Sequence, residues 1–216
     1  MITKNKRLMM QFAILIVVGS LLSVFGFNCS PSKMYSLGSS SNESSSVSKS
    51  EDLPYALLNA DQALSSMLNV TGQSVSSTAV RNEFNIRNSA FAVNSYLSSI
   101  NAPMLLSATS LAGEVCNSLV TTERAAGATR AFFMGVNFAT GPSTITQGSY
   151  DAVLNKFSQK VWARSLLDNE AKLFADYRTD YLATLTSAEQ GQTAKTSAFY
   201  MSVCSAFLSS FDALIF

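Results

Sequence analysis

Apolar and polar positions divide this chain of 216 residues into three parts. Residues 8–27 are apolar almost throughout, and residues 30–52 are polar, with serine at eleven of 23 positions. From Leu53 onward, apolar residues recur at steps of three and four. Such steps place side chains on one face of an α-helix. The pattern therefore predicts a helical globular domain at 53–216, behind two segments of a different kind.

The periodic part predicts an all-α fold, a single compact domain of five to six amphipathic helices. Asn59 can cap the first helix together with Gln62, which completes a capping box, and Gly72 would end that helix. Asn101, followed by Pro103 in the first turn, predicts the start of a longer helix. The other helices are expected at about 80–99, 149–164 and 167–186, and from Thr193 to near the C-terminus.

Apolar residues at helical steps predict which side chains form the core. The inward-facing sets are Leu64, Met67 and Leu68; Leu105, Thr109, Ala112, Cys116 and Leu119; Val153, Leu154, Phe157 and Val161, with Trp162 beside them; Leu173, Tyr177, Tyr181 and Leu185; and Met201, Cys204, Leu208, Phe211 and Ile215. Residues 128–146 are the least helical part, and a short strand or a packed loop is expected there.

The N-terminus has the features of a secretory signal. Lys4, Lys6 and Arg7 precede the apolar run, and no acidic residue occurs before Glu43. A basic start followed by an apolar core directs a chain to the export machinery. The run is also about long enough to span a bilayer as an uncut helix, which is the alternative interpretation.

A cysteine, Cys29, stands directly after the apolar run, and no small-x-small cleavage site precedes it. This arrangement resembles the lipobox of bacterial lipoproteins, although Asn28 occupies the position where that family has a small residue. The resemblance implies cleavage before Cys29, a lipid on its sulfur and, because Ser30 is not aspartate, an outer-membrane location. It divides the chain into a signal peptide at 1–28, a tether at 29–52 and a domain at 53–216. A lipid-free secreted chain is a further alternative.

The serine-rich segment is expected to be a flexible spacer. It has too few apolar residues to offset the conformational entropy that folding would cost. A spacer of 23 residues has a root-mean-square length of about 25 Å. Such a spacer would hold a folded domain away from a membrane surface, which is consistent with a lipid anchor on Cys29.

If Cys29 carries a lipid, Cys116 and Cys204 remain as an even pair. Both lie on apolar faces of predicted helices, and an exported protein meets conditions in which disulfides persist. A Cys116–Cys204 bond would stabilise the fold by roughly 4–5 kcal/mol in the chain-entropy model. Two buried free thiols are the alternative, because cysteine also packs as a small hydrophobic residue.

The composition excludes several chemistries. The chain has no histidine, so serine or cysteine catalysis through histidine and histidine-bound zinc are excluded. Removing residues 1–28 leaves 12 basic and 14 acidic residues, and no basic cluster follows Arg7. Nucleic acid is therefore not expected as a partner. We predict no metal and no cofactor.

Two groups of residues remain as candidate sites. Asp176 and Asp180 are four positions apart and could flank a hard cation, but a solvated face with Lys172 and Arg178 nearby is the ordinary interpretation. The second group is a possible ligand pocket formed by Glu114, Phe132, Phe133 and Phe138. The ordinary interpretation of that group is an ion pair of Glu114 with Arg124 or Arg130, and phenylalanines that fill the core or form a docking surface.

These observations lead to three hypotheses of function. The first is a lipid-anchored envelope protein without catalytic activity, whose helical domain binds another envelope component or a second copy of itself. The second is a binder of a small molecule or lipid, with its pocket in the helical domain. The third is a glycan hydrolase that uses two carboxylic acids, which would require two buried carboxylates facing one cleft.

Overall fold

The computed structural model describes residues 56–74, 77–93, 100–125 and 127–215. The predicted signal peptide, the lipid on Cys29 and the serine-rich tether lie outside these residues. Within them the structure contains helices and no strand, which confirms the all-α prediction. The helices are α1 (Ala60–Thr71), α2 (Thr78–Arg87), α3 (Ala102–Arg124), α4 (Gln147–Val161), α5 (Asp168–Thr184), α6 (Thr193–Leu208) and α7 (Phe211–Leu214), with 3-10 turns at Asn88–Ala90 and Pro142–Thr144.

Helix α1 forms as its sequence predicts. The Asn59 side chain accepts a hydrogen bond from the Gln62 amide at 2.9 Å, and the Gln62 side chain accepts one from the Asn59 amide at 3.0 Å. Gly72 ends the helix with a φ of 67°, a left-handed conformation that glycine adopts without strain. The expected core residues Leu64, Met67 and Leu68 are all buried.

Helix α2 is shorter than predicted. It ends at Arg87 and continues only as the 3-10 turn, so the expectation of a helix through residues 88–93 is wrong; residues 94–99 are outside the described chain. Asn88 and Ser89 have side chains that compete with the helical backbone for hydrogen bonds. Phe91 then takes an extended conformation and is buried. Burial of its ring therefore accompanies the end of the helix.

Side-chain contacts fix the directions of α1, α2 and α3. Ser118 of α3 donates to the Gln73 side chain just after α1, at 2.9 Å, so α1 runs parallel to α3. Ser110, nearer the start of α3, donates to Glu83 near the end of α2. Helix α2 therefore runs antiparallel to both.

Aromatic contacts fix the directions of α4, α5 and α6. Tyr150 packs on Phe199 and Phe157 packs on Phe207, so α4 and α6 run parallel. Phe174 packs on Phe207 while Tyr181 packs on Phe199, so α5 runs antiparallel to α6. The six longer helices alternate up and down.

The bundle consequently has two distinct ends. At the entry end, where the chain enters the domain, α1, α3 and α5 begin and α2, α4 and α6 finish. The Leu58 amide donates to the Leu214 carbonyl at 2.9 Å, and Leu57 forms an antiparallel bridge with Ile215. At the far end lie the segment 127–146 and the connection 185–192.

A disulfide between Cys116 and Cys204 joins α3 to α6. Their Cα atoms are 5.8 Å apart, and both residues are completely buried. The structure confirms the predicted bond. It lies in the core between the two ends of the bundle.

The buried face of α6 differs from the predicted stripe. Phe199, Val203 and Phe207 form one buried row, and Tyr200 starts a second row that includes Cys204 and Leu208. Of the residues expected inside, Met201 is only partly buried and Phe211 is 46% exposed. The prediction favoured a stripe rotated by one position, because it extended the helix past Leu208. The helix instead ends there.

On α3 the prediction was also partly wrong. Ala112, Cys116 and Leu119 are buried, but Thr109 is exposed and its hydroxyl donates to the Leu105 carbonyl one turn earlier. The core face is made instead by residues that were not on the predicted stripe: Met104, Ala108, Leu111 and Val115. A predicted stripe that contains both polar and apolar residues shows where the helix lies in the sequence. It does not show which face of the helix points into the core.

The predicted packed loop at 128–146 is observed, without a strand among its described residues. At Gly141 the backbone of this loop packs tightly against the connection 185–192. A Cβ atom at position 141 would lie 2.1 Å from the Gln190 carbonyl oxygen. Thr196 of α6 donates to the Thr140 carbonyl at 2.8 Å. Only glycine therefore fits at position 141. The close packing of Gly141 on Gln190 holds the two far-end loops together.

Candidate functional site

The best-defined polar arrangement in the described chain surrounds Glu123, near the end of α3. Its carboxylate is 3% exposed and accepts three consecutive backbone N–H groups. Ala131 donates to it at 3.0 Å, Phe132 at 3.1 Å and Phe133 at 2.9 Å. Consecutive N–H groups that converge in this way form an anion-binding nest. Here the anion is supplied by the chain itself.

Arg130 also links the loop that follows α3 to the end of that helix. Its guanidinium donates to the Glu123 carbonyl at 3.0 Å and to the Val136 carbonyl, and it lies 5.4 Å from the centre of the Phe138 ring. The loop is therefore fastened to α3 by a carboxylate and by an arginine. Both groups bind the backbone of the fold, so the arrangement is a structural one.

The predicted ion pair of Glu114 is wrong. Arg130 binds backbone carbonyls, and none of the described ion pairs involves Glu114 or Arg124. Glu114 and Glu123 are nine positions apart, which places them about 180° apart around the helix. The carboxylate with the structural role is thus on the opposite side of α3 from the one that the sequence singled out.

The structure does not bring the four proposed pocket residues together. Phe132, Phe133 and Phe138 are buried in the aromatic core, while Glu114 is partly exposed. Phe133 contacts the rings of Phe138, Phe157 and Tyr200, with centroids 5.5–5.8 Å apart. These phenylalanines fill space that a ligand would have to occupy.

Asp176 and Asp180 follow the ordinary interpretation. Both are exposed, and Asp176 pairs with Lys172 at 2.6 Å along the helix. Arg178 turns to the far end, where it donates to the Ile145 carbonyl at 2.7 Å. Among the described residues, no group of three or more acidic, cysteine or histidine side chains is placed to hold a metal ion.

The second buried carboxylate belongs to Glu170, at the entry end. Arg164 donates two hydrogen bonds to it, at 2.7 and 2.8 Å, and a third to Asp212 at 2.6 Å. The pKa of Glu170 is lowered, first by its hydrogen bonds from Arg164. Glu123 and Glu170 lie at opposite ends of the bundle. They cannot face one cleft, so the arrangement that a two-carboxylate hydrolase requires is not formed by this pair.

Four tyrosines form a cluster between α4, α5 and α6 that the sequence did not reveal. Burial raises the pKa of Tyr181 and of Tyr200 to about 12, and it raises the pKa of Tyr150 and Tyr177 as well. Tyr150 donates to the Phe174 carbonyl at 2.9 Å. Neutral phenols with raised pKa values are poor general bases near pH 7.

An open groove lies at the entry end, between the start of α1 and the end of α2. It has a volume of about 410 Å³ and is lined by Asn59, Ala60 and Asp61 on one side and by the chain from Phe84 to Val93 on the other. Its apolar wall contains Phe84 and Phe91. No sequence pattern predicted this groove, because a helix was expected through its second wall.

Two further observations bear on function. No helix in the described ranges combines the length and the hydrophobicity that a bilayer crossing requires. Comparison with known proteins gives no match to any protein-family model, curated protein or solved structure.

Proposed function

We propose that this chain is an exported lipoprotein whose helical domain works at a membrane by binding rather than by catalysis. Residues 1–28 would direct export, Cys29 would carry the lipid, and residues 29–52 would link the lipid to the domain. The lipobox-like sequence suggests an outer membrane. The partner would be another envelope component or a second copy of the chain.

The observation that supports this proposal most is the disulfide. Cys116 and Cys204 are bonded in the core of the described domain. Stable disulfides of this kind are formed in exported proteins and are rare in reducing cytoplasm. The bond therefore agrees with a signal that was inferred from a separate part of the chain.

Several chemical observations, and not only one missing motif, support a role in binding. The chain has no histidine. Among the residues that the structure describes, the two buried carboxylates, Glu123 and Glu170, are hydrogen-bonded within the fold, and burial keeps the tyrosines neutral. Each of these groups contributes to packing or to loop attachment. Binding through a surface needs none of them.

Intact mass spectrometry of membrane-extracted protein, compared with a Cys29→Ala variant, tests the proposal. A chain that begins at Cys29 and carries a diacylglyceryl group, with or without a further acyl chain, is the expected result. The variant should lack this mass. An uncut chain would make residues 8–27 the anchor, and a truncated chain without lipid would make the protein a secreted one; either result would overturn the proposal.

A small apolar molecule in the entry-end groove is the second candidate. The groove is large enough for such a ligand, and Phe84 and Phe91 supply an apolar wall. Native mass spectrometry of the extracted protein should then reveal a bound molecule that is lost in a Phe84→Ala variant. Protein that is always free of ligand would remove this candidate.

A further inference from the structure

The large apolar side chains on the surface are not evenly distributed. Those most exposed in the described chain are Ile86, Val93, Leu106, Met134, Leu167 and Phe211. Five of them lie at the entry end, and only Met134 lies at the far end. Single exposed apolar residues are normal on a protein surface, but their concentration at one end is a feature that needs a cause.

Helix directions place three of these residues at the entry end, on α2, on α3 or in the segment between them. Ile86 is in the last turn of α2, which finishes there, and it is 65% exposed. Leu106 is in the second turn of α3, which begins there, and it is 60% exposed. Val93 follows the 3-10 turn beside the open groove and is 95% exposed.

Leu167 and Phe211 lie at the same end, just before α5 and just after α6. The Leu167 amide donates to Glu170 at 2.8 Å, and Arg164 joins Glu170 to Asp212, the neighbour of Phe211. The ion network thus holds the two apolar residues on adjoining segments. Leu167 is 56% exposed and Phe211 46% exposed.

Several charges at this end are paired within the protein. Arg164 is bonded to two carboxylates, and Arg87 is bonded to Glu83 at 2.8 Å. Apolar side chains beside internally neutralised charges suit the interface of a bilayer, where apolar groups enter the acyl boundary at little electrostatic cost.

The position of the chain entry favours a bilayer over other occupants. The 27 residues from Cys29 to Tyr55 join Ala56 to the proposed lipid, and they span at most about 90 Å when extended. A domain confined so close to a membrane has a high effective concentration at its surface, so a weak interaction is sufficient to orient it. The end that is joined to the lipid is also the end that carries the exposed apolar residues.

From this coincidence we propose that the entry end of the domain rests against the phospholipid bilayer, with Leu167 and Phe211 inserted at the interface. The inference rests on the proposed lipid on Cys29 and adds an orientation to it. In this arrangement the tether at 29–52 lets the domain reach the membrane surface, and it does not hold the domain away from it as the sequence alone suggested. The far end, with Met134 and the loop around Glu123, then faces away from the membrane and is available to a partner.

Single-tryptophan variants test this orientation, because Trp162 is the only tryptophan in the chain. In a Trp162→Phe background, Phe211→Trp places the probe at the entry end, and Met134→Trp places it at the far end as the matched control. The mature lipidated proteins are reconstituted into phosphatidylcholine vesicles with or without brominated acyl chains. Bromine should reduce the emission of the probe at 211 about twofold or more and leave that at 134 unchanged. Leu167→Ser should restore most of the emission at 211.

The outcomes separate the two proposals. If the protein floats with the vesicles and carries its lipid, but neither probe is quenched, the orientation is wrong and the lipoprotein proposal stands. If the intact mass of the mature protein shows no lipid on Cys29, both the lipoprotein proposal and the orientation fail. Emission at 211 that depends on protein concentration and not on bromine would assign the surface to a second copy and overturn the inference.

The Trp162→Phe background removes a hydrogen bond to Ser210, so its fold must be checked by thermal melting. Should it be unstable, the wild-type chain provides a second route. Limited proteolysis of the reconstituted protein should then cut at Arg124 or Arg130, beside or within the far-end loop, in preference to Arg164 at the entry end. Equal cleavage at both ends in lipidated, vesicle-bound protein would contradict the orientation.

Discussion

Each end of this bundle buries a glutamate, and the hydrogen-bond donors that its carboxylate receives differ between the two ends. At the far end, the Glu123 carboxylate accepts three backbone N–H groups. At the entry end, the Glu170 carboxylate accepts a two-pronged bond from Arg164, which also reaches Asp212. Neutral donors are fixed by the backbone, whereas an ion pair depends on two charges. The far end should therefore resist changes of salt better than the entry end.

The largest effect should come from removing the disulfide, which lies between the two ends and constrains both. Replacing Cys116 and Cys204 together by alanine releases a loop of 88 residues. By the chain-entropy model this lowers the free energy of unfolding by about 4–5 kcal/mol. Urea denaturation measures the change. If the double variant unfolds at the same urea concentration as the wild type, the bond is not the main constraint on the unfolded chain.

Glu123→Ala should have the next largest effect. It leaves three N–H groups without their acceptor, in a region where Phe132 and Phe133 are buried. Unsatisfied buried groups cost about 1–3 kcal/mol each, and partial access of water limits the sum to roughly 3–5 kcal/mol. Glu114→Ala, on the opposite side of the same helix, is the control and should cost less than about 1 kcal/mol. Equal losses for the two variants would contradict the role given to Glu123.

At the entry end, Glu170→Gln should lower the free energy of unfolding by about 1.5–3 kcal/mol, because it removes the charged partner of Arg164. The loss should be smaller in high salt, where the wild-type ion pair is itself weakened. The loss for Glu123→Ala should change less with salt. The same salt dependence in both variants would remove the distinction between the two ends.

Acid provides a finer test. The pKa of Glu170 in the folded protein is lowered from 4.5, first by the hydrogen bonds from Arg164. A lowered pKa means that this carboxylate contributes its full stability above pH 4.5 and loses it as the pH falls through the folded value. The stability difference between the wild type and Glu170→Gln should therefore shrink below that pH. Denaturation curves from pH 6 to the lowest pH that the fold tolerates measure it, and a difference that is constant with pH would refute the prediction.

The smallest effect is expected on the exposed face of α5. Asp176→Ala removes an ion pair whose two side chains are 57% and 75% exposed, so the free energy of unfolding should change by less than about 0.5 kcal/mol. Calcium or magnesium should not raise the melting temperature of the wild-type protein. A rise that disappears in Asp176→Ala would restore the cation site that the spacing of Asp176 and Asp180 suggests.

The sequence was informative where short-range rules determine the structure. The Asn59 capping box, the Gly72 helix end and the start of α3 at Asn101 each depend on residues within one turn, and each is observed. The disulfide also followed, because both cysteines lie on apolar faces.

Rotation of the helices and long-range satisfaction of polar groups could not be predicted in the same way. The rotation of α6 depends on which aromatic rings the other helices present to it. The role of Glu123 depends on a loop that begins several residues later, and nothing in the sequence around Glu123 marks it as the buried carboxylate. To predict that Glu123 accepts the N–H groups of residues 131–133, one would need the backbone conformation of those residues. That conformation forms only when the far end has folded.

The Leu57–Ile215 pairing also has a consequence for how the domain can be rebuilt. Because the first and last described segments are neighbours, a short linker could join them into a closed ring, and the ring could be reopened at the exposed, left-handed Gly127. Such a circular permutant would keep all the helices in place while moving both chain ends to the opposite pole of the bundle. An anchor attached there would be joined to the far end. The entry end would then point away from the point of attachment.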